Sequence, residues 1–208
     1  VSDGLRQEFV QPEIDPSLPS VLLIGDSISI GYTLPTRERM EGRANVLRPP
    51  INCGPTTRGL EHLDEWVSSS PWAVVHYNFG LHDLKQIDAD GQIVPPDQGT
   101  YQVPIENYEQ NLSVISDRLL ETGAALIWAS TTPVPEGATG RVAGDAARYN
   151  EVALRVVETR GVRINDLYTF ALDRLEDIQQ PANVHFTDAG SAALANRVAD
   201  TLKDSLPA

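Results

Sequence analysis

Cysteine is nearly absent from this chain of 208 residues. The single thiol, Cys53, can form no internal disulfide and no thiolate zinc cluster, so packing alone must hold the fold. Long apolar runs are missing too, and nothing approaches the ~18 residues that span a bilayer. The four histidines, His62, His76, His82 and His185, are dispersed, with no His-x-His or His-Glu-x-x-His spacing. No metal or other cofactor is expected. Positive charge is also scarce. Sixteen Lys and Arg against 29 Asp and Glu leave a net charge of −13. A nucleic-acid backbone or an anionic lipid surface needs a basic face, so neither nucleic acid nor membrane is expected as a partner.

What is present suits a globular domain. Apolar residues at 41% and charged residues at 22% exclude a disordered or fibrous chain. The length predicts one domain with a proper core. The polar, Pro-punctuated stretch from Val1 to Pro19 reads as an N-terminal extension and residues 20–208 as the domain itself. That extension is not a signal peptide. A start at Val is compatible with a removed leader, hence with bacterial secretion or a periplasmic location, and equally with the cytoplasm.

Short apolar, β-branched runs at Ser20–Ile24, Asn45–Leu47, Ala73–Phe79, Ala125–Ser130 and Val162–Ile164 have the pattern of buried parallel strands. Helical periodicity falls between and after them. Thr57–Ser68 puts Leu60, Leu63 and Val67 on one face, and Ile105–Thr122 does the same with Tyr108, Leu112, Ile115 and Leu119. Asp145–Arg160 and Asp188–Leu206 each open with an Asp that suits a helix N-terminus. Five alternations of strand and helix predict a three-layer α/β/α sandwich on a five-stranded, mainly parallel sheet. Ligands of such sheets bind beyond the carboxyl ends of the strands. The longest stretch without periodicity, Gly80 to Pro104, lies at one such end and reads as a loop.

Four segments at those ends carry chemistry. Gly25-Asp26-Ser27-Ile28-Ser29 puts a serine at a strand-to-helix turn, where its hydroxyl is exposed and its N–H lies at a helix start. Gly54 follows the second strand and can offer an N–H to an oxyanion. Asn78-Phe79-Gly80-Leu81-His82-Asp83 follows the third, where a polar side chain can reach the same oxyanion and Asp83 can brace the loop. Asn183-Val184-His185-Phe186-Thr187-Asp188 precedes the last helix, with His185 as a candidate general base and Thr187 or Asp188 as a cap.

Together these blocks resemble the SGNH hydrolases, the GDSL-type esterases and lipases, from Val21 to Leu206. The resemblance implies a flavodoxin-like sandwich and a serine esterase. Ser27 would attack an ester carbonyl and form an acyl-enzyme, and His185 would act as base and then acid. The N–H groups of Ser27 and Gly54 and the side chain of His82 would hold the oxyanion. Two departures stand out. His82 occupies the place of the family's Asn in G-x-N-D, where a neutral imidazole can still donate one N–H. The family's D-x-x-H has lost its acid, because Ala182 stands three before His185. This leaves a Ser–His dyad whose orienting group is open between the carbonyl of Ala182, Asp188 and Asp166. The G-L-H-D block with P-x-N-V-H-F-T is similar to a bacterial subset acting on acylated carbohydrate, so a small-molecule or saccharide ester, most simply an acetyl ester, is the expected substrate. A non-catalytic carbohydrate-binding domain on the same fold is the alternative from another class. A thioesterase or lysophospholipase would need an acyl groove that the sequence does not show.

Further candidates for substrate contact are Asp26, Asn78, Asp83 and Tyr101, together with Arg58, Lys85 and Arg141. The three basic residues lie in or beside the strand-end loops of an acidic chain. They either recognise an acidic group such as a uronate or pair with neighbouring Asp and Glu. Trp66, Trp72 and Trp128 read as core, and Cys53 as a small buried residue.

Overall fold

A computed structural model describes residues 6–68 and 71–207. Five strands, β1 (Ser20–Ile24), β2 (Asn45–Leu47), β3 (Val74–Tyr77), β6 (Ala125–Ala129) and β7 (Arg163–Asn165), form one all-parallel sheet in the order β2-β1-β3-β6-β7. Both faces are covered, which explains why β1 and β3 read as unbroken apolar runs rather than alternating ones. Helices α1 (Ser27–Arg39) and α7 (Asp188–Lys203) pack together on one side, and α2 (Thr56–Val67), α3 (Ile105–Leu120) and α4 (Asp145–Glu158) on the other. The three-layer parallel sandwich is therefore as the sequence predicts.

Amphipathic spacing sets the helix faces. Leu63 and Trp66 of α2, Tyr108, Leu112, Ile115 and Leu119 of α3, and Leu194, Val198 and Leu202 of α7 all point into the core. Trp72, Trp128 and Cys53 are buried as well. Polar side chains are buried too. His76 in β3 is fully buried, takes a 3.2 Å hydrogen bond from Asn165 Nδ2 on Nε2, and lies edge-on to Tyr32.

The structure departs from the sequence expectation in two places. The stretch from Gly80 to Pro104 is not an unstructured loop, since β4 (Gln86–Ile87) and β5 (Thr100–Tyr101) pair antiparallel within it. Two short helices, α5 (Leu167–Leu172) and α6 (Leu175–Ile178), follow β7 without a periodic signal long enough to show. Helix α1 begins at Ser27 as the sequence implies, carries Pro35 in its interior, and buries Ser29, Thr33 and Thr36 beside its apolar residues, so it lacks a clear apolar stripe. Residues 6–19 lie against this frame. Arg37 donates to the Val10 carbonyl, Gln11 to the Arg48 carbonyl, and Asn45 to the carbonyls of Asp15 and Leu18.

Candidate active site

In the order β2-β1-β3-β6-β7 the winding direction reverses between β1 and β3, so a crevice opens beyond their carboxyl ends. Ser27 emerges there as the first residue of α1. Asp26 caps that helix, accepting the Ile28 N–H at 2.9 Å, and the turn is too tight for anything but glycine before it. A Cβ on Gly25 would lie 2.8 Å from Ser29 Cβ.

His185 arrives from the other end of the chain. Its segment pairs as a short antiparallel bridge between Gln179 and Phe186, and Gln180 N–H donates to the His185 carbonyl at 2.9 Å. Thr187 then caps α7, accepting the Gly190 N–H at 3.0 Å. The result brings His185 Nε2 to 2.9 Å from Ser27 Oγ, across 158 positions of sequence.

The group on the other ring nitrogen is none of the three considered from sequence. Nδ1 donates to Asn183 Oδ1 at 2.8 Å, and the same oxygen accepts the His185 backbone N–H at 3.0 Å. Residues Gln180 to Asn183 form a tight turn closed by Asn183 N–H on the Gln180 carbonyl at 3.3 Å, with Pro181 second and Ala182 third at a φ of 52°. The turn sets Ala182 against Gly137, whose ideal Cβ would lie 3.2 Å from Ala182 Cβ. Asp166 instead caps α5 through Thr169 N–H, and Asp188 lies exposed in the first turn of α7.

The polar chain continues behind Asn183. Its Nδ2 donates to Gln180 Oε1 at 3.1 Å, and Gln180 Nε2 donates to the Phe186 carbonyl at 3.1 Å. A carbonyl can only accept and a backbone N–H can only donate, so both amide orientations are set by main-chain groups. It follows that Asn183 presents oxygen to Nδ1, that the proton of the neutral ring sits on Nδ1, and that Nε2 is free to accept from Ser27. The arrangement can take the Ser27 proton as the hydroxyl attacks an electrophile.

Arg48, just after β2, was not singled out from sequence. It is 1% exposed, and its five donors are all used: Nε on the Pro49 carbonyl, one terminal nitrogen on Ser29 Oγ (3.1 Å) and Thr33 Oγ1 (2.8 Å), the other on the carbonyls of Gly25 (3.3 Å) and Ile51 (3.2 Å). It therefore ties the turn that carries Ser27 to the loop that leads to Gly54. An Arg after a strand and before Pro49-Pro50 was the only signal.

The oxyanion candidates follow the neighbouring strands β2 and β3. Gly54 adopts a φ of 65°, and its N–H donates to Asn52 Oδ1 at 3.0 Å, so a substrate oxygen must share or displace that amide. His82 follows Gly80, where a Cβ would lie 2.0 Å from Thr131 Oγ1 and only glycine fits. Burial pushes the His82 imidazole down to about 4, with Lys85, Arg141 and Arg58 adding repulsion against the pull of Asp26. The ring is neutral at pH 7 and carries one N–H.

Other predicted contacts turn inward. Asp83 is fully buried and accepts both the N–H (2.9 Å) and the hydroxyl (2.5 Å) of Thr56, bracing the third-block loop. Burial raises its carboxyl to about 7 against these hydrogen bonds. Asn78 donates to the Ala129 carbonyl at 2.7 Å, Asp26 serves as the cap, and the Tyr101 hydroxyl is taken by Asp145 at 2.8 Å. Beside Ser27 and His185 lies a cleft of about 340 Å³, lined also by Arg6, Glu8, Gln180, Asp188 and Ser191, with Ile28 and Phe186 as its large apolar side chains. Among the described residues no cluster of His, Cys, Asp or Glu could hold a metal ion, and no helix is long and apolar enough to cross a membrane.

No family model matches the sequence, and no curated protein matches it either. The fold, however, has solved counterparts. An acetyl xylan esterase superposes with a TM-score of 0.72 at 14% identity, covering 88% of this chain and 99% of its own. A lipase/acylhydrolase from Enterococcus faecalis gives 0.75 at 17% identity, with 91% and 97% covered. Axe2, an acetylxylan esterase from Geobacillus stearothermophilus, gives 0.70 at 16%, with 86% and 92% covered. At these identities the likeness establishes the architecture, a parallel α/β sandwich.

Proposed function

We propose that the protein is a serine esterase of the SGNH type that removes small acyl groups, acetyl first among them, from carbohydrate esters. The 2.9 Å contact between Ser27 Oγ and His185 Nε2 carries this reading. Ser27 attacks the acyl carbonyl as its proton passes to Nε2, and the N–H groups of Ser27 and Gly54 with the His82 imidazole receive the charge on the carbonyl oxygen. The tetrahedral adduct collapses to an acyl-enzyme, and the alcohol leaves with the proton from Nε2. Water, deprotonated by the same nitrogen, then releases the acid and restores Ser27. Asn183 Oδ1 holds the ring in the productive tautomer throughout, as a neutral amide in the place of a carboxylate.

The polar lining of the cleft supports a small acyl group and a hydroxylated leaving group over a long lipid chain. The two acetyl xylan esterases among the structural counterparts support the same choice. The test is hydrolysis of 4-nitrophenyl acetate and acetylated xylooligosaccharide by the wild type and by Ser27→Ala. Turnover by the first and none by the second is expected. A wild type inert on both esters would leave a binding domain as the better reading.

A further inference from the structure

The three strand-end cations stand together, and they are not paired. Gln86 N–H donates to the Gly140 carbonyl at 2.7 Å, which sets Lys85 and Arg141 side by side on adjoining segments. Arg141 Nε reaches the Leu81 carbonyl at 3.0 Å, next to His82. The Arg58 guanidinium lies over Gly54, 3.4 Å from where a Cβ would be, with one donor on the Asn52 carbonyl at 3.1 Å. Ion pairs among the described residues engage other cations, such as Arg118, Arg160 and Arg163, and none includes Arg58, Lys85 or Arg141. No described carboxylate lies within ion-pair distance of the three, and the one acid whose charge Arg141 feels is Asp26, the cap of α1.

We propose that Arg58, Lys85 and Arg141 form an anion subsite that selects esters bearing a carboxylate near the scissile acyl group. This rests on the esterase reading above and names its substrate class. In a chain of net charge −13, like charges are gathered at the rim of the oxyanion region without a carboxylate partner. Partial burial and the two arginines push the Lys85 ammonium below its ordinary value, a cost that a bound carboxylate relieves. Each guanidinium keeps donors beyond those it spends on backbone carbonyls, and its planar fork suits a carboxylate. The carbonyl contacts fix the two arginines in advance, so little entropy is lost on binding.

The experiment compares kcat/KM for 4-acetoxybenzoate and its neutral isostere 4-acetoxybenzamide in the wild type, Lys85→Gln, Arg58→Gln and the charge-keeping Arg58→Lys. The anionic-to-neutral ratio should fall about tenfold in each Gln variant, as for one lost charge-assisted contact. It should largely survive in Arg58→Lys, and in the wild type it should drop as NaCl is raised. Equal losses on both esters, or an unchanged ratio, overturn the subsite and leave the esterase standing. If neither ester is hydrolysed, the esterase reading has failed. Calorimetric binding of 4-acetoxybenzoate then decides: binding weakened by Lys85→Gln supports the subsite, and absence of binding overturns it.

Discussion

Replacing Asn183 by Asp should speed the proposed esterase reaction. The amide oxygen lies 2.8 Å from His185 Nδ1 and orients the ring, but it carries no full charge to favour the imidazolium that forms as Ser27 attacks. A carboxylate in that place adds a Coulomb term. Unit charges about 4 Å apart attract by about 1 kcal/mol in water and about 4 kcal/mol at an effective dielectric of 20. His185 is exposed, so the lower end applies. Against this, the Asp loses the donor that Asn183 gives to Gln180 Oε1, but that contact is exposed and water can take its place while Gln180 stays held by the Phe186 carbonyl. The balance is about 1 kcal/mol, or roughly fivefold in kcat. The midpoint of the pH–rate profile should move up by somewhat less than one unit. Asn183→Ala removes the acceptor altogether and should cost about 10- to 100-fold in kcat with little change in KM. Steady-state kinetics on 4-nitrophenyl acetate from pH 5 to 9 reads all three proteins. If Asn183→Asp loses as much as Asn183→Ala, or if Asn183→Ala behaves as wild type, the orienting role assigned to this side chain is wrong.

Four further outcomes follow from the same geometry. Ala182→Asp restores the family spacing D-x-x-H but should not raise kcat, because that side chain faces Gly137; a gain comparable to Asn183→Asp would show that the turn rearranges. His82→Asn should keep far more kcat than His82→Ala, whose loss should approach 10²-fold, and equal losses would remove His82 from the oxyanion site. Arg48→Lys leaves at least two of five acceptors unmet in the interior, so chemical denaturation should show about 3 kcal/mol less stability; a shift under 0.5 kcal/mol would refute the tie it provides. Burial holds His76 down to about 4 against 6.5 unfolded, so the unfolded chain binds the extra proton and this group's stabilising effect declines as pH falls from 6.5 toward 4. His76→Gln should therefore gain about 3 kcal/mol relative to wild type between pH 7 and 4. The comparison must be between proteins, because Asp83, raised to about 7, pulls the wild-type curve the other way.

The strands of the main sheet were legible because burial on both faces leaves short apolar runs between turn residues, as in Val21-Leu22-Leu23-Ile24 before Gly25. Helices with one buried stripe were legible for the same reason. Of helix α1 only the start at Ser27 was legible; its extent was not, since Pro35 argues against a helix and the polar Ser29, Thr33 and Thr36 among its buried residues blur the period. The pairing of Gln86–Ile87 with Thr100–Tyr101 escaped because two-residue strands hold too few positions to alternate. At the site, Ser27 and His185 could be found by position and type. The group behind His185 could not be, because a spacing rule looks three residues back, to Ala182. The type II-like turn at Pro181 delivers the side chain two residues back instead. Arg48 was hidden by its chemistry: five backbone and hydroxyl acceptors scattered along the chain leave no motif.

A small fluorophosphonate, followed by peptide mass spectrometry, asks most directly whether Ser27 is a nucleophile armed by His185. One adduct per chain is expected, on Ser27, formed at least ~10²-fold more slowly in His185→Ala. Labelling spread over several hydroxyls, or a rate indifferent to the loss of the imidazole, would contradict it.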